Sequence, residues 1–166
     1  MVPRIMLEPG TTRLGVKRIV SILVTNRIAL IIGLLGLCAA YLQSGIDKLV
    51  DFSSAVAETE RLGLAPAIPI AVATIFTQLT ASALILSGFY RWFGALWLAG
   101  FTFIVTFVVF RFWNFPQPDR FNIENSFFEH LGLIGGFILV AFYDLKKADG
   151  GRDAAGRNDE IRRAFE

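Results

Sequence analysis

Four runs of apolar residues, each close to twenty long, govern what this chain can become: residues 27–45, 67–88, 92–113 and 127–143. A helix rises about 1.5 Å per residue and a hydrocarbon core is about 30 Å thick, so roughly 20 helical residues cross it. Lipid offers no partner to an unpaired backbone N–H or C=O, and a helix satisfies those groups within a single segment. The pattern predicts an all-α fold, an integral membrane bundle of four transmembrane helices in one domain. Composition points the same way: 54% of the 166 residues are hydrophobic, only 18% are charged and mean hydropathy is +0.57, too apolar for a water-soluble domain of this length.

The breaks between runs carry the residues that stop helices. Gly63, Pro66 and Pro69 precede or open the second run, and Pro116 and Pro118 follow the third. Only GFYR separates the second run from the third, which makes those helices antiparallel neighbours. The connection after the first run is expected to hold a short amphipathic helix near 52–62. Residues 1–26 read as a cytoplasmic N-terminal segment and 27–143 as the membrane domain. Residues 144–166 read as a flexible cytoplasmic tail with room for a short helix near Glu160, because their glycines and mixed charges bury too little apolar surface to offset the entropy of ordering. The stretch 19–24 either lies at the membrane interface or lengthens the first helix.

Charge sets the expected orientation. Lys48, Arg61, Arg111 and Arg120 fall on one side of this topology and the other twelve Lys and Arg on the opposite side. The basic side faces the cytoplasm, so both termini are expected there.

Much chemistry is excluded at this level. A single cysteine, Cys38, allows no intramolecular disulfide, no Cys-x-x-Cys pair and no thiolate zinc cage, and a single histidine allows no haem held by two histidines of this chain. The basic residues cluster at segment ends and do not alternate with aromatics, which argues against nucleic-acid binding. There is no Walker-type phosphate loop, no His-Glu-x-x-His and no Gly-x-Ser-x-Gly. No metal site and no covalently held cofactor is expected.

Polar groups inside or beside the apolar runs are more informative, since an ionisable residue at mid-membrane costs about 2.5–3.5 kcal/mol on insertion scales. Thr74, Gln78 and Ser82 make a polar stripe on the second helix that should face the bundle, with Gln78 bonding to another helix. Gln43 lies near the end of the first. Gly36, Ala40 and Ser44 on the first helix, and Gly132 and Gly136 on the fourth, form small faces against which neighbours can pack. Cys38 reads as a small buried hydrophobe. The ionisable residues gather at one face of the membrane: Asp47 and Lys48 end the first helix, Arg111 ends the third, and Glu129 and His130 open the fourth. These five form the candidate site. Arg111 and Glu129 have the charges to pair, and an imidazole beside them can donate, accept and relay a proton. Such a group of side chains suits a polar headgroup or a quinone oxygen. The competing reading is ordinary interfacial decoration by snorkelling and anchoring side chains.

SGIDKLVDF at the outer end of the first helix, RLGLAPA before the second, GFYRWFGAL at the tight turn, FVVFRFWNF ending the third and FFEHLGLIGG in the fourth follow one another in this order over about 115 residues, after the Arg27 that opens the first helix. In that order and spacing the chain resembles the DoxX family of small bacterial four-helix membrane proteins. The family pattern often has a histidine near the position of Arg111 and an asparagine near that of His130, so this chain carries its histidine on a different helix. The resemblance implies association with membrane redox systems, including quinone-linked oxidation of reduced sulfur compounds, and a quinone as the bound cofactor. Two other classes are open to such a chain. One is a non-catalytic accessory subunit packed against a larger membrane complex or a second copy of itself. The other, a small-solute transporter, is weakened by the lack of an internal repeat or broken helix.

Overall fold

The computed structural model describes Ser21 and residues 26–164. The questions posed by residues 1–26 and by the stretch 19–24 fall, apart from Ser21 and Asn26, outside the described residues. The chain divides into two compact units at Gly36, Met1–Gly36 and Leu37–Glu166. The first contributes the opening ten residues of helix α1 (Arg27–Val50). The second contains the rest of α1 together with α2 (Phe52–Arg61), α3 (Ala67–Ser87), α4 (Arg91–Val109), a 3₁₀ turn (Phe112–Asn114) and α5 (Asp119–Ala164). The fold is all-α, with no strand among the described residues. α1, α3, the stretch from Arg91 to Asn114, and α5 as far as Asp153 are long and apolar enough to cross a membrane.

Inside the second unit the usual polarity of a globular protein is reversed. Large apolar side chains such as Val72, Phe76, Phe103, Ile104 and Leu139 point outward, while Gln78, Ser82, Thr102 and Thr106 are buried. In lipid the outside is as apolar as the inside, so interior positions go to residues that are small or can bond to a neighbour. α3 buries Ala71, Ile75, Gln78, Ser82 and Ile85 along one stripe, and α4 buries Gly94, Leu98, Thr102 and Thr106.

Two glycines set the closest helix crossings. A Cβ on Gly94 would stand 2.8 Å from the Ala81 carbonyl oxygen, and one on Gly45 would stand 2.8 Å from Leu79 Cδ2. The glycines singled out by four-residue spacing are less critical: a Cβ on Gly136 would meet Leu37 Cδ1 at 3.1 Å, while Gly36 and Gly132 have open space. Spacing marks a small face, whereas the crossing point depends on how two helices meet.

The element ends have local causes. Asp51 closes α1 and caps α2, its Oδ1 accepting from the Ser54 N–H at 3.0 Å and from the Ser53 hydroxyl at 2.8 Å. Pro69 is tolerated in the first turn of α3, where backbone N–H groups have no partner within the helix. Gly88, left-handed at φ 81°, ends α3 with its N–H on the Leu84 carbonyl.

Two boundaries differ from the sequence expectation. The third run, expected to be helical to 113, stops at Val109, and Arg111 stands before the 3₁₀ turn. The fourth helix, expected at 127–143, runs from Asp119 to Ala164, so residues 144–164, expected as a flexible tail, are helical. After Pro118 the chain has no further proline, Asp119 in the first turn complements the helix dipole, and Arg152 lies 3.5 Å from Asp149 one turn back.

Candidate functional site

One end of the Leu37–Glu166 unit encloses a cavity of about 650 Å³, within the range typical of small-molecule sites. α1 and α4 run toward this end, and α3 and α5 run away from it, so position along each helix reads as depth. Tyr41 on α1, Gln78 on α3 and Thr102 on α4 form the floor, while Lys48, Glu58 on α2, Glu129 and His130 form the rim. Seven residues of α1 separate Tyr41 from Lys48, a rise of roughly 10 Å. Between floor and rim the wall is mostly aliphatic, with Ile70, Val105 and Leu133 among its side chains.

The floor is a set of hydrogen-bonding groups linking helices. Tyr41 Oη lies 2.6 Å from Thr102 Oγ1. Thr102 gives its one hydroxyl hydrogen to the Leu98 carbonyl at 2.6 Å, so Tyr41 is the donor of the pair. Gln78 is only 7% exposed. Its Nε2 donates to Ser44 Oγ at 3.3 Å, while its Oε1 has no partner among the described residues. Ser82 Oγ is likewise buried without a partner, and each such group costs about 1–3 kcal/mol.

The rim holds charge. Lys48 Nζ is 2.6 Å from Glu58 Oε2, a contact that ties α2 to the end of α1. His130 Nδ1 is 2.7 Å from the Ser126 carbonyl oxygen. A carbonyl only accepts, so Nδ1 carries the hydrogen and Nε2 is left as the free nitrogen. The imidazole lies against Phe110, ring centroids 4.5 Å apart. Near the rim the Ser54 N–H and the Ser53 hydroxyl hold the Asp51 carboxyl below its ordinary value of 3.8.

Of the residues singled out from the sequence, Lys48, Glu129, His130 and Gln78 line this one cavity. Asp47 and Gln43 lie outside its lining on an exposed face of α1. Arg111 is exposed as well, and it does not pair with Glu129. Its Nε donates to the Val108 carbonyl at 3.1 Å, as a cation does at a helix C-terminus whose last carbonyls lack partners.

Glu58, Tyr41 and Thr102 were not singled out. Tyr41 stands seven residues before Lys48 on the same face of α1, and that periodicity is the signal that finds it. Glu58 belongs to an element whose position over the cavity has no counterpart in the local sequence. His/Cys/Asp/Glu clusters able to hold a metal are absent among the described residues.

Residues 28–111 match the family model named DoxX, a stretch that takes in α1 to α4 and ends at Arg111, before α5 with Glu129 and His130. No curated protein and no solved structure matches the chain.

Proposed function

The chain belongs to the DoxX family of membrane proteins, and from that footing we propose that it is a quinone-linked redox protein which holds the quinone head in the cavity at the end of the bundle. The observation that carries this reading is the cavity itself, aliphatic along its wall, with Gln78 and Tyr41 at its deep end and Lys48, Glu129 and His130 at its rim. An amphipathic ring with polar substituents fits a space of about 650 Å³ whose walls are aliphatic and whose two ends are polar. When bound, a quinone supplies the two-electron redox chemistry that these side chains lack.

The chain's own residues do the rest. Ile70, Val105 and Leu133 exclude water from the ring, and the second hydrogen of Gln78 Nε2, beside the one given to Ser44, serves its deep oxygen. His130 Nε2 holds or releases a proton at the rim, and the Lys48–Glu58 pair fixes α2 across the opening. The same reading sets the chain in a bacterial cytoplasmic membrane with both termini in the cytoplasm, on the strength of its charge asymmetry.

The alternative, an accessory subunit of a larger membrane complex, draws on the polar helical extension of α5 beyond the bilayer. Mass spectrometry of gently extracted protein separates the two. Quinone should co-purify with wild type and with the distant Arg152→Ala variant, and fall in His130→Ala and Gln78→Leu. Equal content in all four, or a stoichiometric foreign subunit with no quinone, would put the accessory reading in its place.

A further inference from the structure

α3 and α4 meet closely at one level and part at another. Gly94 marks the close level, where an added Cβ would stand 2.8 Å from the Ala81 carbonyl oxygen. Seven residues make two turns of helix and return a side chain to nearly the same face. Thr74 stands seven before Ala81 on α3, and Phe101 and Val108 stand seven and fourteen after Gly94 on α4. The faces that press together at Gly94 both line the cavity from roughly 10 Å nearer its rim. The two helices therefore splay, and the cavity fills the gap. Phe76 and Trp97, ring centroids 6.0 Å apart, bridge the seam between those levels.

The splayed part reaches the outside of the bundle. Ile104 lines the cavity and is 64% exposed, and it lies ten residues inside the end of its span at Asn114, where the surroundings are hydrocarbon. Ile70, Thr74, Phe101 and Val108 beside it are partly exposed and, apart from one hydroxyl, apolar. The mouth at the helix ends is different. α2 crosses it with Thr59 and Leu62 in the lining, held by Lys48 against Glu58 at 2.6 Å.

We propose that the cavity opens sideways into the bilayer through a window between α3 and α4, framed by Ile70, Thr74, Phe101, Ile104 and Val108, and that its occupant is an amphiphile whose polar head fills the cavity while its apolar chain passes out through that window. A chain leaving past Lys48 and Glu58 would meet water and charge, whereas one lying in the window stays in hydrocarbon. The inference rests on the reading of this cavity as a quinone site. It adds that the quinone is a chain-bearing one delivered by the lipid, not a soluble ring delivered by water.

The test uses full-length protein in phosphatidylcholine nanodiscs and a decylubiquinone analogue with a diazirine in its chain. After irradiation, peptide mass spectrometry should find adducts on the five window residues. The chain-free dimethoxy-methyl-benzoquinone head, added at about ten times its own dissociation constant, should reduce those adducts about tenfold by filling the cavity. Thr74→Phe, which sets a ring in the window, should weaken decylubiquinone about five- to 150-fold and leave the chain-free head nearly unchanged. Its fold is checked by thermal unfolding, and Ile104→Trp at the outer edge of the window is the second variant, with the same selective effect expected. Adducts confined to α1, α2 or α5 send the chain elsewhere and overturn the inference while leaving the quinone site standing. So does binding of the head without the decyl form, or equal weakening of both in folded variants. Window adducts that the chain-free head does not reduce are ordinary lipid contact and overturn it as well. Binding of neither quinone removes the site itself, and the inference with it.

Discussion

Asp144, on α5, accepts the backbone N–H of Trp92 at the start of α4, Oδ2 to N 3.2 Å, across 52 residues of chain. Its other oxygen lies 3.8 Å from Arg91 Nη1, and the Arg91 Nε donates at 2.9 Å to the Ile85 carbonyl near the end of α3. One carboxylate thus joins α5 to the α3–α4 turn at the end of the unit opposite the cavity. Asp144→Ala should lower stability by about 1–2 kcal/mol, because it frees the N–H of a helix start and unpairs a half-buried guanidinium. Asp144→Asn, which keeps an acceptor, should cost less. Thermal unfolding of the two variants in the same detergent checks the order.

Gly94 and Gly100 lie on the same helix and should respond to alanine with opposite signs. The methyl at 94 would press on the Ala81 carbonyl, whereas nothing stands within 4 Å of the one at 100. Gly94→Ala should destabilise by about 1–3 kcal/mol through forced separation of α3 and α4. Gly100→Ala should stabilise by about 0.5–1 kcal/mol through reduced backbone entropy in the unfolded chain. Parallel unfolding curves decide it, and equal shifts would place the α3–α4 crossing elsewhere.

The Asp51 cap makes the seating of α2 sensitive to acid. The folded carboxyl titrates below its ordinary value of 3.8, so the stabilisation is fully present above that value. It is lost as pH falls through the lowered one. Hydrogen exchange of the α2 amides should therefore be insensitive to this group from neutral pH down to about 4, after correction for intrinsic rates, and lose protection below it. Asp51→Asn retains an oxygen for the Ser54 N–H and should abolish that acid-dependent loss.

The proposed orientation is open to direct labelling. In a Cys38→Ala background, which removes the buried native thiol, a membrane-impermeant maleimide added to intact cells should label Gln117→Cys and spare Asp153→Cys. The reverse pattern would invert the topology.

The parts of this molecule legible in its sequence are those fixed by local physics. Length and hydropathy reveal the four spans, and Pro66 and Gly88 mark where α3 begins and ends. Lys48, Glu129 and His130 stand out because ionisable residues are costly near the bilayer. Arg111 belongs to the same class, yet it caps its own helix, since α4 ends at Val109 and exposes carbonyls within its reach. The pairings Tyr41–Thr102, Gln78–Ser44 and Lys48–Glu58 depend on relative helix rotation, which the spacing within any single helix does not contain. The helical state of 144–164 was hidden for a different reason: Gly150, Gly151 and Gly156 argue against it residue by residue, while ion pairs and continuity with a long helix argue for it.

The short turn between α3 and α4 also bears on the order in which the helices come together. The contact from Arg91 back to Ile85 closes a loop of only 6 residues, whereas the one from Tyr41 to Thr102 closes 61. For a flexible chain that tenfold difference adds about 2 kcal/mol of closure entropy to the longer loop. The α3–α4 hairpin is thus the cheapest long-helix pair to assemble, and it presents Gln78 and Thr102 as half of a preformed cradle. α1 and α5 join at the higher entropic cost and complete the hollow last, so under the proposed function a ligand is captured only after all four long helices have met.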